Sequence, residues 1–445
     1  MTESELVIIG GGLAGCEAAW QAARRGVRVT LHEMRPHRET PAHRTDRLAE
    51  LVCSNSLGSD LPDRAGGLLK AELRRLGSLI LEAADATAVP AGGALAVDRQ
   101  AFSAAVTEAL TAQPNLRVVH GEVTRVPELP TVVASGPLTS AALADDLVRI
   151  CGAEQLHFYD AVSPIVALES VDPATAFRQS RYGRGTLDAG DYVNCPLDEA
   201  EFQAFVTALV GAQRIELRDF EREDMSFFEA CLPIEVLAER SPRALRFGPL
   251  RPMGLRDPRT GRRPHAVVQL RQDDAAGALV NMVGFQTNLR WSEQRRVFRL
   301  IPGLEQARFE RFGQMHRNTF LNAPRLLEPT MCFRQRPDLL FAGQITGIEG
   351  YAGNAASGLV AGVNAARLLR GLEPLAPPPT TMAGALCRYV ARADGRSFQP
   401  MKANFGLLPP LDGAARGKAE RNQAHVRRAL TDLERFVSDT GWSLG

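Results

Sequence analysis

The sequence predicts an α/β fold, a Rossmann-like dinucleotide-binding domain interrupted by an inserted α+β domain, and three observations carry that expectation. A βαβ unit opens the chain, a second strand, glycine turn and helix return after residue 330, and between them the alternation of strand and helix is lost. The opening unit is ELVIIGGGLAGCEAAWQAARRGVRVTLHEMRP. Its apolar strand runs into Gly10, Gly12 and Gly15, which satisfy GxGxxG with Gly11, Leu13 and Ala14 between them; such a turn lets a pyrophosphate approach the helix N-terminus. Glu33 closes the second strand at the spacing of an acid that binds a ribose hydroxyl.

The sheet continues in a helix at AVDRQAFSAAVTEAL, two short strands in LRVVHGEVTRV and a buried strand ending in a glycine turn at TVVASGPL. From about 165 to 325 the pattern becomes short strands, proline turns and arginine-rich loops. The return, DLLFAGQITGIEGYAGNAASGLVAGVNAARLL, places Gly343, Gln344, Gly350, Tyr351 and Gly353 on a long glycine-rich turn before a helix of small residues. Two such turns at opposite ends of the chain fit FAD better than NAD, because the larger cofactor lies across the domain. The expected division is therefore a discontinuous FAD-binding domain of the glutathione-reductase type, residues 1–164 and 326–445, around an insertion domain of residues 165–325.

Composition narrows the function. The 445 residues are 45% hydrophobic and 23% charged, no segment reaches eighteen uninterrupted apolar residues, and the N-terminus carries no export signal, so a cytoplasmic protein without membrane association is expected. Seven cysteines without a CxxC pair argue against a disulfide framework, a zinc knuckle and a dithiol reductase, and no metal is expected. Of the 52 basic residues only Lys70, Lys402 and Lys418 are lysine, so 49 are arginine. Seven of these fall in SPRALRFGPLRPMGLRDPRTGRRPH (241–265), including Arg259, Arg262 and Arg263, against the single acid Asp257. Arg416, Lys418, Arg421, Arg427 and Arg428 form a second group on an expected C-terminal helix. A solvated face explains a charged helix, but a run of seven arginines broken by glycine and proline also fits a polyanion such as nucleic acid.

Two cysteines have neighbours unlike those of a core. Cys53 sits in LVCSNSLGS, with Ser54, Asn55 and Ser56 behind it, and Cys231 lies in FFEACLPIE between Glu229 and Glu235. Cys16, Cys332 and Cys387 have surroundings that suit buried, inert thiols. A third stretch, NLRWSEQRRVFRLIPGLEQARFERFGQMHRNTFLNAP, offers Trp291, His316, Arg317 and Asn318 on sequence that reads as loop.

In order along the chain, LVCSNSL, FEACLPIE, RVFRLIPGLE, MHRNTF, GQITGIEGYAGNAASG and FQPMKANFGLLP resemble the folate- and FAD-dependent tRNA uracil-5-methyltransferases. GGGLAGCEAA and GQITGIEGYAG are also similar to the larger wobble-uridine enzymes of the MnmG type. The resemblance implies that 5,10-methylenetetrahydrofolate donates a one-carbon unit to C5 of the tRNA T-loop uridine (m5U54), that FAD supplies the electrons, and that NADH or NADPH restores the flavin. It implies tRNA and folate as partners, with no obligate protein partner. By motif, Cys53 and Cys231 correspond to the family's two functional cysteines, read as C6 nucleophile and C5 base, with the reverse order as the alternative. His316 corresponds to the position that stacks on the folate pterin, Asn318 joins it as a substrate contact, and the arginines at 259, 262 and 263 would grip tRNA phosphates. Ala230, Leu232, Gly58 and Ser135 depart from the expected pattern without removing a group the chemistry needs. The competing readings are an MnmG-like wobble-uridine flavoprotein, a small-molecule flavin oxidoreductase, and an RNA-binding flavoprotein without methyltransferase activity.

Overall fold

The computed structural model describes residues 5–40, 42–152, 155–161, 163–215, 232–313, 315–396, 398–411 and 417–442, with backbone alone for 155–161 and 315–319. A six-stranded sheet organises the chain's two ends, in the order Cys332–Phe333, Arg336–Phe341, Thr131–Val133, Glu5–Ile9, Arg28–Glu33 and Leu116–His120. Its five longer strands are parallel, and Glu5–Ile9 sits centrally with Ile9 opposite both His32 and Val133. Such a strand is covered on both faces, which explains the unbroken apolar run ELVII.

Two helices cover the sheet where the glycine turns begin. The alanine-rich helix Leu13–Arg24 and the small-residue helix Tyr351–Leu369 lie so close that a Cβ on Gly358 would stand 2.2 Å from the Ala14 carbonyl oxygen, and one on Gly362 2.4 Å from that of Ala18. Small residues at 358 and 362 therefore set the approach of the two helices. Both helices start on glycines, Gly12 and Gly350, with no side-chain cap, whereas Asp98 caps the helix Arg99–Thr111 through two backbone N–H groups.

A second six-stranded sheet, wholly antiparallel, runs Phe177–Arg178, Tyr192–Leu197, Ala266–Gln272, Leu279–Met282, Ile165–Ala167 and Phe309–Arg311. It has its own apolar core, with Cys195, Phe205, Phe285 and Phe298 fully buried, separate from the core built around Leu6, Ile8, Leu340 and Ala355. The strands Gln155–Ala161 and Met315–Leu321 pair antiparallel as a two-stranded ribbon where the chain leaves and re-enters the first core.

Two local expectations are corrected. LRVVHGEVTRV yields one strand, Leu116–His120, because after it Gly121 donates to the Glu33 carbonyl at 2.8 Å and the Val126 N–H goes to the Asp146 carboxylate at 2.8 Å. Trp291 begins the helix Trp291–Phe298, and His316, Arg317 and Asn318 lie on the ribbon strand opposite Asp160, Tyr159 and Phe158, not in a loop.

Candidate functional site

The first glycine turn is shaped by packing and opens on one side. Gly10 has φ +109, and a Cβ there would meet the Ala134 carbonyl oxygen at 2.5 Å; at Gly15 it would lie 1.8 Å from the Gly10 carbonyl oxygen. Gly12, by contrast, faces open space, where the uncapped first turn of the helix leaves N–H groups for an anion. Glu33 sits beside this turn, accepting from the Gly11 N–H at 3.1 Å and from the Arg35 N–H and Nε at 3.0 and 2.9 Å. Burial works against its charge, but the bonds from Arg35 prevail and hold the carboxyl below its ordinary range, so it stays an acceptor.

A cleft lined by Gly10, Gly11, Gly12, Leu13, Ala14 and Glu33 also takes in Gly343 and Gln344 from the second turn. It continues into a cavity of about 510 Å³ lined by Cys53, Gly350, Gly353 and Lys402, and Val52, Pro137, Leu138, Gln344, Tyr351 and Asn354 line both. Gly15 is the one expected cofactor residue that lines neither; its part is to support the turn. At the seam the Asn354 side chain, 8% exposed, has an Oδ1 with no hydrogen-bond partner among the described residues. A buried orphan acceptor in a cleft running from a phosphate-type turn to a cysteine fits a long dinucleotide with its redox ring near Cys53.

Cys53 is the exception among the described cysteines. Cys16, Cys151, Cys195, Cys332 and Cys387 are buried, and burial pushes the Cys151 and Cys387 thiols up to about 11 and about 12, which suits inert packing groups. Cys53 is half-buried and lines the cavity. Its loop is tied down from four directions. The Cys53 and Ser54 N–H groups donate to the Tyr351 Oη at 2.9 and 3.1 Å. Arg271 donates from Nε to the Asn55 Oδ1 at 3.0 Å and from Nη2 to the Ser54 Oγ at 2.7 Å. Arg311 donates to the Val52 carbonyl at 2.9 Å, and Arg99 to that of Leu51.

These cations bear on the thiol. Burial opposes the charge on Arg99, but Asp273 at 2.9 Å outweighs it; burial depresses Arg271 and Arg311; and a negative charge on Cys53 favours the charged form of all three. Coulombic coupling is reciprocal, so three guanidinium groups favour thiolate over thiol at Cys53. The same negative charge, after burial, raises the Tyr351 phenol, which stays protonated at neutral pH.

Cys231 is outside the described residues. His316 and Asn318 are on the ribbon strand. Arg259, Arg262 and Arg263 border a separate cavity of about 820 Å³ on the second sheet, where Arg259 is paired with Asp257 at 2.8 Å and Asp198, Glu199, Glu201 and Glu305 also face the space. Sequence reasoning missed Arg99, Arg271 and Arg311, since nothing local separates them from 46 other arginines. Lys402 had a usable signal, as one of only three lysines.

A parallel sheet with two uncapped glycine turns facing one continuous cleft defines the FAD-binding Rossmann class. The fold matches that of Aquifex aeolicus GidA, with a TM-score of 0.69 at 16% identity over 98% of this chain and 74% of that one. Residues 5–373 match the family described as glucose inhibited division protein A. Curated relatives include the methylenetetrahydrofolate--tRNA-(uracil-5-)-methyltransferase TrmFO of Desulforudis audaxviator, 58% identical over 98% of this chain and 99% of that protein. The enzyme of the same name from Thermosynechococcus vestitus is 59% identical over 97% and 94%. The chain belongs to the glucose inhibited division protein A family and, within it, to the TrmFO group.

Proposed function

We propose that this protein uses 5,10-methylenetetrahydrofolate to methylate C5 of the T-loop uridine of tRNA, in the cytoplasm and without an obligate protein partner. The observation that carries the proposal is a half-buried cysteine, surrounded by three arginines, in a cleft continuous with a dinucleotide turn. Uracil C5 becomes nucleophilic only after addition at C6, and a thiolate is the side chain suited to that addition. C5 then attacks the folate methylene carbon, a base removes the C5 proton as the bond from that carbon to the folate nitrogen breaks and tetrahydrofolate leaves, and once the methylene has been reduced the thiolate departs as the ring double bond re-forms. Reduced FAD, when bound, would supply the hydride that makes this methylene a methyl group, and NADH or NADPH would return the oxidised flavin to its reduced form.

The glycine turns Gly10–Gly15 and Gly343–Gly353 would hold the dinucleotide, with Glu33 on its ribose and Asn354 at the seam. In our reading Cys53 is the C6 nucleophile and Cys231 the C5 base. Arg99, Arg271 and Arg311 keep the Cys53 loop in place and its thiolate available. His316 and Asn318 would flank the folate pterin, and the arginines at 259, 262 and 263 would contact tRNA phosphates. The two separate apolar cores support a division into residues 1–164 with 326–445 and an insertion of 165–325, except that Phe320, Leu321 and Ala323 pack in the first core.

Incubation with unmodified tRNA, methylenetetrahydrofolate and NADPH should give 5-methyluridine in the T-loop, and a requirement for S-adenosylmethionine would sink the proposal. Trapping with tRNA carrying 5-fluorouridine fixes the roles. An adduct that survives Cys231→Ala but not Cys53→Ala supports Cys53 as nucleophile, and the opposite pattern exchanges the two roles.

A further inference from the structure

A second cavity, of about 640 Å³, opens beside the Cys53 cleft and shares Ser59, Gly66 and Ala403 with it. These three are small, so the wall between the spaces is low. The far side carries Arg64, Lys418, Arg421 and His425, and no carboxylate lines it. Among the described residues Lys418 and Arg421 have no carboxylate partner, and Arg64 has only Asp63 at 3.6 Å, an exposed pair of little strength. Arg428 at 3.3 Å from His425 Nδ1 has another task, since its guanidinium holds the Pro409 and Pro410 carbonyls. Burial, then Arg428 and Arg421, keep His425 below its ordinary imidazole value, so it faces the cavity as a neutral ring, stacked on Phe405 at 5.7 Å. The helix Lys418–Thr440 also begins here without a side-chain cap.

Three cations lacking strong carboxylate partners, in a cavity one low wall from the reacting cysteine, call for an anion attached to something that reacts in the main cleft. A folate has that shape, with a neutral pterin that carries the transferred carbon and, beyond the aminobenzoyl ring, a tail of glutamate carboxylates. An RNA backbone asks instead for an open track of cations. Resting on the methylation reading, we propose that this cavity holds the folate's glutamate carboxylates and makes the protein select oligo-γ-glutamyl folates over the monoglutamate.

The test is a calorimetric titration of the FAD-loaded full chain with tetrahydrofolate monoglutamate and pentaglutamate, beside a tRNA-binding measurement. Wild type should bind the pentaglutamate about tenfold tighter, and Lys418→Glu with Arg421→Glu should bring that ratio to near one while tRNA affinity stays within about twofold. Arg64→Glu, at the start of a different helix, should lower the ratio independently; all three side chains are exposed, so the fold is not at stake. Equal affinities in wild type, or a ratio that survives both variants, overturn the tail site, as does a loss of tRNA affinity with the ratio intact. Monoglutamate binding and 5-methyluridine formation with a ratio of one would defeat only this inference; no binding of either folate would defeat the methylation reading as well.

Discussion

The loop that carries Cys53 and the loop that carries seven arginines are both polar interruptions of an ordinary sequence, yet they satisfy their polarity in opposite ways. Around Cys53 the bonds are long-range and buried. Asn55 is fully buried and donates to Val97 at 3.0 Å, in the first core, and to Gln272 at 2.9 Å, on the second sheet, while accepting from Arg271, 216 positions away. In residues 241–265 many of the side-chain bonds are local and most are exposed, although Arg259 also reaches the Ala174 carbonyl at 3.1 Å. Arg259 returns to Asp257, Arg256 reaches the Gly261 carbonyl at 3.2 Å, and Arg246 reaches that of His265 at 3.0 Å. A buried charge depends on its partner wherever that partner lies in the chain, and an exposed one has water in reserve. The Cys53 loop therefore exists in this form only when both cores are folded and docked.

The widest test of that contrast is Arg271→Met. The methionine fills similar space but leaves the Asn55 Oδ1 and Ser54 Oγ without their cationic donor, and a hydrogen bond to a charged group contributes about 1.5–3 kcal/mol. Denaturant unfolding should show a loss of about 3 kcal/mol, and methylation should fall by at least about a hundredfold because the thiol loses both position and a cation. A loss below about 1 kcal/mol would mean that the loop holds itself, as the arginine loop does.

A pH experiment sharpens the same difference. Lys70 is fully buried beneath the strand that follows Cys53, donating to the Ser59 carbonyl at 2.8 Å and to that of Gly66 at 3.2 Å. Burial brings its ammonium down from 10.5 to about 8. Between those values the unfolded chain holds a proton that the folded chain has released, so stability rises with pH across this window; below about 8 both states are protonated and the penalty is constant. Relative to Lys70→Met, wild type should gain about 3 kcal/mol between pH 8 and 10.5, and a flat difference would show that the amine is solvated.

The contrast also explains what the sequence made legible. The opening βαβ unit and the returning helix at 351–369 could be read because strand, glycine turn and small-residue helix are consecutive, and consecutive residues report on each other. Cys53 could be singled out because a thiol among Ser54, Asn55 and Ser56 breaks the pattern of the buried cysteines. The residues that control it could not. Arg99, Arg271 and Arg311 meet at the loop only through the docking of two cores, and pairing across 216 positions leaves no local trace. The ribbon at His316 escapes a reading of the sequence for a related reason: its strand character comes from pairing with residues 155–161, and a polar stretch by itself reads as loop.

The smallest effect belongs to the arginine loop. Asp257 accepts from the Arg259 N–H at 2.9 Å, Nε at 3.0 Å and Nη2 at 2.8 Å, and those bonds from Arg259 hold its carboxyl below the usual carboxylate range. A depressed carboxyl stabilises the fold above its unfolded value and loses that contribution as pH falls through the folded one. Asp257→Asn should therefore cost less than about 1 kcal/mol at pH 7, because Arg259 is 44% exposed, and the difference should begin to shrink as pH falls below about 4 and vanish only below the lowered folded value. The functional readout carries more weight than the stability. Asn at 257 frees the Arg259 guanidinium, so if this loop contacts tRNA phosphates, affinity should rise a few-fold and the salt dependence should steepen by about one counterion. Unchanged affinity and slope would assign the seven arginines to solvation and leave the Cys53 cleft and its neighbouring cationic cavity as the surfaces that read substrate.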